Sequence, residues 1–563
     1  MNHDTLILGG TILDGSGAPA QRADIAIDNG RITRIGNLAG ALAATTIDAT
    51  GKLVTPGFVD LHTHLDAQVA WDPQLRSSTY HGVTTALIGN CGVTFAPVSP
   101  ANRRYLAELM QAVEDISADA IMDGLPWSWT SYGGYLDALQ ALKPALNMVG
   151  LAGHSAIRFE AMGDRSMDEG VQADDRELAH IVALVRQSVS EGAVGFSTSR
   201  FLGHKVPDGR RTPGTYASLH EIEAIQRAVV EAGGRGAIFQ AAPDFSTRFG
   251  TELSVFERGA ELGCQVIFSG GARAKGDGDV AFWSDFLGRN QAAGRRITTI
   301  THSRPSGGLF GLAQASLFDT PAWNALMQLP DIAARYEALS QPARRAVLLA
   351  EARQAGFSHD PSYLHPLGRG AAPDYDLDRK ASLTQLAARA GRDPLEFYID
   401  RLLASEGHEL FNLWMFSGYL ENQWAYLQME HCVPGLGDAG AHVGYLIDAD
   451  SPTFLLSELT RDRSVFTLPD AVRRLTSLPA EVLGLRERGQ IRERWHADLN
   501  VIDYAKLGTC HPEYVNDFPH NGGRFIVKSE GYSVTLVGGE VIVADGQHTG
   551  KRPGRVIREF VRA

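Results

Sequence analysis

Short apolar runs recur through the middle of the chain, and segments with helical periodicity separate them. Eight runs are strand candidates, and they read LVTPGFVDLHTH, TTALIGNCG, ALNMVGLAGHS, GAVGFSTS, GAIFQAAPD, CQVIFSGGA, ITTITHSRP and CVPGLGDAGAH. Between them, stretches such as ELAHIVALVRQSVSEG and EIEAIQRAVVEAGG repeat apolar residues every three or four positions. Eight alternating units predict an α/β fold, a (β/α)8 barrel of the TIM type, with its active site at the carboxyl ends of the strands.

Both ends of the chain have a different pattern. TLILGGTILDGSG and ADIAIDNGRITRIG near the start, and RFIVKSEGYSVTLVGGEVIVADGQ near the end, are β-rich runs separated by Gly, Asn-Gly and Asp-Gly turns. We therefore expect a small β-sandwich domain built from residues 1–55 together with 480–563, which leaves 56–479 for the barrel.

One spacing exceeds what a strand–helix unit needs, because about 135 positions separate the ends of strands seven and eight. PARRAVLLAEARQAG and EFYIDRLLASEG within it are helix-like. This predicts a helical insertion at about residues 306–430. A lid over the barrel mouth and an additional packing layer remote from the chemistry both remain open.

The composition narrows the class of protein. The chain has 563 residues, 44% of them hydrophobic, and a formal charge of -13 without a Lys/Arg-rich run, so nucleic acid is not an expected partner. The start, MNHDTLILGG, has no basic segment followed by a long apolar core, so a secretory signal is not expected, and no run approaches the roughly 20 apolar residues that span a bilayer. Four scattered cysteines fit a reducing cytoplasm. The oligomeric state is open, and a homo-oligomer is compatible with the sequence.

The end of the first strand carries His62 and His64, flanked by Asp60 and Asp66. Residues two apart in a strand point to the same face, so both imidazoles aim into the barrel mouth. Paired neutral imidazoles suit Zn²⁺ or a similar cation. The alternative is a hydrogen-bonded surface pair, but the position at the end of strand one favours a metal site.

Two other strand ends carry residues that can complete such a site. Cys91 follows strand two in a Gly-flanked turn and can act as a thiolate ligand, although buried cysteines often only fill space. Asp438 follows strand eight in GDAGAH and can hold a metal and accept a proton, which makes it the predicted catalytic acid/base. An N-cap role for Asp438 is the alternative.

The stretches VTPGFVDLHTHLD, GVTTALIGNCGVTFAPV, GHSAIR, EGAVGFSTS and GDAGAH, with the tail TSLPAEVLGLRERGQIRERWHADLNVIDY, resemble the amidohydrolase superfamily. Within it, the Cys91 turn and GFSTS are similar to the N-acyl-D-amino-acid deacylases, or D-aminoacylases. This resemblance implies zinc ligands His62, His64, Cys91 and Asp438, with Asp438 as acid/base. It further implies hydrolysis of an N-acyl amino acid, of the D series, to a carboxylic acid and a free amino acid.

Two positions depart from the family pattern. The family usually ends strands five and six with histidines that complete a second metal site, whereas this chain offers Gln240 and Ser269. Neither is a good zinc ligand, so we expect one well-held zinc ion rather than two. Strand four also lacks the carboxylated lysine of hydantoinases, dihydroorotases and ureases, since the nearest lysine, Lys205, lies beyond the strand.

Five side chains are predicted to bind the substrate: His302, Arg304, His154, Gln240 and His442. His302 follows strand seven and can contact the transition-state oxyanion or act as a further metal ligand. A substrate carboxylate needs a cation, and Arg304 is favoured over Arg200, Arg273 and Lys275, with a surface ion pair as the alternative for each. For His154, a structural hydrogen-bonding role is as open as a substrate contact. For His442, capping of a loop is as open as a substrate contact.

Two other functions remain under consideration. Hydrolysis of another C–N bond, in a cyclic amide, a carbamate or a peptide-like amide, is compatible with the missing second-site histidines. A catalytically inactive barrel acting as a scaffold is disfavoured, because a scaffold has no need of four converging ligands.

Overall fold

The computed structural model describes residues 2–272, 278–415 and 419–562. At its centre lies a parallel sheet in which eight strands follow one another in chain order. These barrel strands one to eight are Phe58–Asp60, Val83–Ile88, Asn147–Gly153, Gly195–Ser199, Ile238–Ala242, Gln265–Ser269, Ile297–Thr301 and Cys432–Pro434. A parallel bridge between Thr63 and Ala439 connects the segments that follow strands one and eight. Seven strands fall within the predicted runs and strand two begins one residue before its run, at Val83; the predicted fold class is confirmed.

The barrel strands are buried on both faces, which explains their nearly unbroken apolar sequences. One set of their side chains forms a cluster inside the barrel, with members Val59, Leu87, Val149, Leu151, Ile238, Ile267, Ile300 and Val433. The other set packs against the surrounding helices. The predicted metal ligands His62, His64, Cys91 and Asp438 all come after the ends of their strands.

Helices alternate with the barrel strands. Apart from the insertion helices within residues 321–404, the longer helices before strand eight are Arg103–Glu114, Ala118–Gly124, Tyr132–Ala141, His154–Met162, Asp175–Ser190, Leu219–Gly233, Phe249–Leu262, Gly278–Ala292 and Leu420–Leu427, with short turns at Gln68–Ala70 and Arg76–Thr79. After strand eight come Asp448–Asp450, Ser451–Phe454, Leu455–Asp462, Leu468–Leu475 and Ser477–Leu483. Across the described ranges, none of the helices combines the length and apolarity that a bilayer crossing requires.

The two termini share one nine-stranded sheet. Its strands are Asn2–Ile12, Gln21–Asp28, Arg31–Gly36, Leu42–Asp48, Leu53–Pro56, Leu499–Ile502, Tyr532–Val537, Glu540–Ala544 and Gln547–His548. Antiparallel pairing of Leu53–Pro56 with Leu499–Ile502 joins the N-terminal part to the C-terminal part. The chain then enters the barrel through Gly57, where a Cβ would lie 2.2 Å from Thr84 Oγ1, so that only glycine fits.

The C-terminal region adds short strands elsewhere. Gly508–Thr509 pairs with Ser529–Glu530, and Glu513–Val515 pairs with Arg524–Ile526. Val556–Ile557 runs parallel to barrel strand three.

The insertion between strands seven and eight contains a small sheet as well as the predicted helices. Its helices are Pro321–Met327, Ile332–Ser340, Pro342–Ala355, Leu383–Arg389 and Pro394–Ala404. Its strands are Leu309–Gly311, Leu364–Pro366 and Leu410–Leu413, with Leu410–Leu413 in the middle and antiparallel to both. The sequence did not predict this sheet, because strands of three or four residues are too short to show a period.

Candidate metal centre

Three predicted ligands meet at the open end of the barrel. Ligand atoms of His62, His64 and Cys91 all lie within 4.8 Å of one another, and all three residues are buried. His62 Nε2 is 3.3 Å from Cys91 Sγ and 3.2 Å from Asp438 Oδ1. His64 Nε2 is 3.9 Å from the same carboxylate oxygen. The structure thus brings the four predicted ligands together around one point.

The extended backbone after strand one places the two imidazoles. Thr63 donates its N–H to the carbonyl of Leu87 at 3.1 Å, and its hydroxyl donates to the same oxygen at 2.7 Å. The His64 N–H donates to the carbonyl of Ala439 at 2.8 Å. Because Thr63 is held on one side, His62 and His64 project together on the other, with ring centroids 5.3 Å apart.

A tight turn presents the thiol. Cys91 has a φ of 54° and follows Gly89, whose φ is 75° and whose Cβ would lie 2.4 Å from the carbonyl oxygen of Leu151. The Asn90 side chain donates to the carbonyl of Thr63 at 3.1 Å, which ties the turn to the histidine segment. The Cys91 N–H donates to Gln240 Oε1 at 3.1 Å. These bonds fix the direction of the sulfur.

The carboxylate comes from the segment after strand eight, which lies beside the histidine segment and is bridged to it through Thr63 and Ala439. Asp438 has a φ of 43°, and Gly440 shortly after it has a φ of 95°. A Cβ on Gly440 would lie 2.5 Å from the carbonyl oxygen of His64, so glycine is required for the strand-eight segment to reach His64.

Burial makes these side chains poor at holding charge without a partner. It raises the pKa of Asp438 to about 8, although His64 opposes the shift, and it raises the pKa of Cys91. It also lowers the pKa of His62, which therefore stays neutral. Two imidazoles, a sulfur and a carboxylate oxygen that face one another at these distances fit a shared Zn²⁺ ion, for which all four are common ligands.

The structure adds Glu114, which the sequence did not single out. Its side chain is 2% exposed, and its Oε1 lies 3.0 Å from His64 Nδ1, the ring nitrogen that faces away from the other ligands. A carboxylate in this position fixes the tautomer and orientation of a metal-binding histidine. Glu114 ends the helix Arg103–Glu114 and is far from the strand-end motifs. The sequence signal that could have indicated Glu114 was a glutamate on the apolar face of an amphipathic helix, where a charged residue needs a buried partner.

Two further histidines stand near Glu114. His442 Nε2 is 3.9 Å from Glu114 Oε2, and His442 Nδ1 is 3.0 Å from the hydroxyl of Tyr445. His204, also missed, accepts or donates a hydrogen bond with Ser199 Oγ at 2.8 Å. Burial lowers the pKa of His204 to about 4, against the pull of Glu114, so its ring is neutral.

His302 and Arg304, which follow strand seven, have different surroundings. Burial and the charge of Arg304 lower the pKa of His302 to about 4, and His302 in turn contributes to the low pKa of His62, which agrees with a position facing the centre. Arg304 itself is 1% exposed and donates to Asp448 at 2.5 Å and to Asp450 at 2.6 Å. This geometry argues against its predicted role as the grip for a substrate carboxylate.

Other predicted contacts also differ in their surroundings. His154 uses both ring nitrogens, with Thr198 at 2.8 Å and Glu221 at 2.9 Å, which favours the structural alternative. Arg200 is bound to Glu252. Gln240 is buried beside Cys91, and its Nε2 has no hydrogen-bond partner within the described part of the chain. Arg273 and Lys275 lie outside the described residues.

Comparisons with known proteins find relatives and solved structures that match nearly the whole chain. An uncharacterised protein of Mycobacterium tuberculosis is 29% identical over 584 residues, covering 98% of this chain and 93% of its own. The N-acyl-D-glutamate deacylase of Alcaligenes xylosoxydans xylosoxydans is 27% identical over 568 residues, covering 99% and 96%. A solved N-acyl-D-glutamate deacylase from Bordetella bronchiseptica, complexed with zinc and a phosphonate mimic of the tetrahedral intermediate, is 25% identical, with a TM-score of 0.66 and coverage of 99% and 100%.

A family model describes most of the barrel strands and part of the terminal sheet. The model of the amidohydrolase family matches residues 45–255 and 432–543, which include the segments that carry His62, His64, Cys91 and Asp438. The stretch between the two matched parts holds strands six and seven and the insertion. By this match the chain belongs to the amidohydrolase family.

Proposed function

We propose that this protein is a zinc-dependent deacylase that hydrolyses the amide bond of N-acyl-D-amino acids to a carboxylic acid and a free amino acid. The convergence of His62, His64, Cys91 and Asp438 at the barrel mouth is the observation that carries the proposal. Support comes from the full-length similarity to proteins named N-acyl-D-glutamate deacylase, one of them solved with zinc.

We further propose that one zinc ion serves the reaction. The second-site positions hold Gln240 and Ser269, and Gln240 Oε1 already accepts the Cys91 N–H. An amide and a hydroxyl are poor substitutes for imidazole as zinc ligands. The centre built by His62, His64, Cys91 and Asp438 is complete without them.

The residues suggest a division of labour. When bound, zinc supplies positive charge that polarises the amide carbonyl and favours deprotonation of water. Asp438 accepts the proton of the attacking water and returns it to the leaving nitrogen. Gln240 Nε2, buried and without a partner in the described ranges, donates to a substrate oxygen. His302, whose lowered pKa keeps its ring neutral, is proposed to contact the same group.

The proposal is tested with the purified protein and a panel of N-acetyl-D- and N-acetyl-L-amino acids, a hydantoin and an N-carbamoyl amino acid. Zinc content is measured on the same sample. We expect about one zinc per chain, hydrolysis of D substrates in preference to their L counterparts, and loss of activity on chelation that zinc reverses. Activity confined to the hydantoin or carbamoyl substrate, or unaffected by chelation, would refute the proposal.

A further inference from the structure

Three buried side chains in the insertion have unused hydrogen-bonding atoms. His365, Asn412 and Trp414 are 1%, 0% and 2% exposed. No residue in 2–272, 278–415 or 419–562 hydrogen-bonds to His365 Nε2, to Trp414 Nε1 or to either polar atom of the Asn412 side chain. Buried polar atoms are rarely left unpaired in proteins, so such a group points to a partner that is not part of the fold.

The three side chains share one face of the small sheet. His365 is directly opposite Asn412 in the antiparallel pairing, and Trp414 follows two residues after Asn412. The rings of His365 and Trp414 stack, with centroids 4.5 Å apart and an angle of 22° between planes. The unused atoms therefore form one patch.

This face is directed towards the barrel. Leu309 shares it, since Leu309 is opposite Asn412, and belongs to the main apolar cluster of the barrel. Phe411 and Leu413, on the other face, belong to the separate core of the insertion. The Leu309 N–H also donates to the carbonyl of Tyr445 at 2.7 Å.

Tyr445 links the sheet to the metal centre. Its hydroxyl is 3.0 Å from His442 Nδ1, and His442 Nε2 is 3.9 Å from Glu114, the carboxylate that contacts His64. These contacts connect the sheet, through Tyr445 and His442, to the carboxylate beside His64.

The patch consists of polar groups without charge, with two charged groups beside them. These are the Asp376 carboxylate next to His365 and the Arg379 guanidinium, 5.4 Å from the centroid of the Trp414 ring. His365 Nδ1 is 2.7 Å from the Asp376 carboxylate, which also accepts backbone N–H groups from Lys380 and Ala381. A carboxylate only accepts, so Nδ1 carries the proton and Nε2 offers a lone pair. Trp414 offers a donor, and Asn412 offers a donor and an acceptor.

We propose that His365, Asn412 and Trp414 form a binding subsite for a carboxamide group of the substrate. A carboxamide supplies an N–H to His365 and a carbonyl oxygen to Trp414 or Asn412, whereas a carboxylate has no donor for His365. The proposal rests on the proposed deacylase function. The carboxamide can stand on the amino-acid side chain or at the end of the acyl group.

The test compares substrates that differ in the carboxamide. N-acetyl-D-glutamine is paired with N-acetyl-D-methionine and N-acetyl-D-glutamate, and N-succinamoyl-D-alanine is paired with N-pentanoyl-D-alanine. We expect kcat/KM to favour the carboxamide by about tenfold or more in one of these two sets, which identifies the side of the substrate that reaches the patch. Equal or lower values for the carboxamide in both sets would overturn the proposal.

The variants His365→Phe, Asn412→Leu and Trp414→Phe remove different atoms of the patch. Each is expected to abolish the carboxamide preference, mainly through KM, while kcat/KM for the apolar substrate stays within about twofold. Tyr398→Phe is the matched control, because it removes a buried hydroxyl in the core of the same insertion that likewise has no hydrogen-bond partner among the described residues. Folded variants that keep the preference would contradict the assignment.

Binding separates this proposal from the deacylase function. Calorimetry of the zinc-loaded protein with N-acetyl-D-glutamine and with N-succinamoyl-D-alanine reports the subsite even if no turnover occurs. If no N-acyl-D-amino acid is turned over but binding remains and depends on His365, the deacylase function is refuted and the subsite is not. If the wild type binds the carboxamide ligands no more tightly than the three variants do, the subsite is refuted.

Discussion

Asp438→Asn is expected to lower kcat for amide hydrolysis by about 10²–10⁴-fold, because the amide side chain of asparagine cannot accept and return a proton. The loss should fall on kcat more than on KM, since the substrate is held by other groups. Steady-state kinetics on the best substrate of the panel measure both constants. Zinc content is determined in parallel, because Asp438 also lies within 3.2 Å of His62 and is a predicted ligand.

Asp123→Asn serves as the control for this experiment. Asp123 is an exposed carboxylate paired with the exposed His520, so its substitution should leave both constants unchanged. An Asp438→Asn protein that keeps zinc and retains at least a tenth of the wild-type kcat would show that another group moves the proton.

Glu114→Gln is expected to weaken zinc binding by about 10–100-fold, as loss of a carboxylate behind a zinc-binding histidine typically does. Glutamine keeps the shape of the side chain but loses the charge that holds His64 Nδ1 at 3.0 Å. Competition with a chelator of known affinity gives the dissociation constant directly, without reference to activity.

Glu114→Asp separates orientation from charge. The shorter carboxylate keeps the charge, so it should recover part of the zinc affinity that Glu114→Gln loses. If both variants bind zinc as tightly as the wild type, Glu114 is only a buried packing residue. If both fail to bind, unfolding must be excluded by comparing their melting temperatures with that of the wild type.

The strand ends could be predicted because local sequence determines them. His62 and His64 lie two apart at the end of an apolar run, and Cys91 and Asp438 lie in glycine-containing turns directly after other runs. In a parallel barrel, all such ends meet at one mouth. The ligand set therefore follows from pattern and topology together, without knowledge of any side-chain contact.

Contacts between distant segments could not be predicted in the same way. Arg304 stands two residues after His302, but its guanidinium turns to Asp448 and Asp450, which come from the loop after strand eight. Glu114 reaches His64 from a helix inserted between strands two and three. Such contacts depend on the way in which long connecting segments fold back over the barrel, and hydrophobic periodicity in the sequence does not predict them.

The sheet of the insertion illustrates the same limit. The insertion and its helices are visible in spacing and periodicity, but the face that carries His365 and Asn412 is set by register between strands of three and four residues. A shift of one residue would turn these side chains into the core of the insertion.

X-ray absorption spectroscopy of the zinc-loaded protein tests the central claim most directly. With His62, His64, Cys91 and Asp438 as ligands, the spectrum should contain one sulfur at about 2.3 Å together with nitrogen and oxygen scatterers at about 2.0–2.1 Å, two of them from imidazoles. The sulfur contribution should disappear in Cys91→Ser. A wild-type spectrum without sulfur, or an unchanged sulfur contribution in Cys91→Ser, would contradict the account.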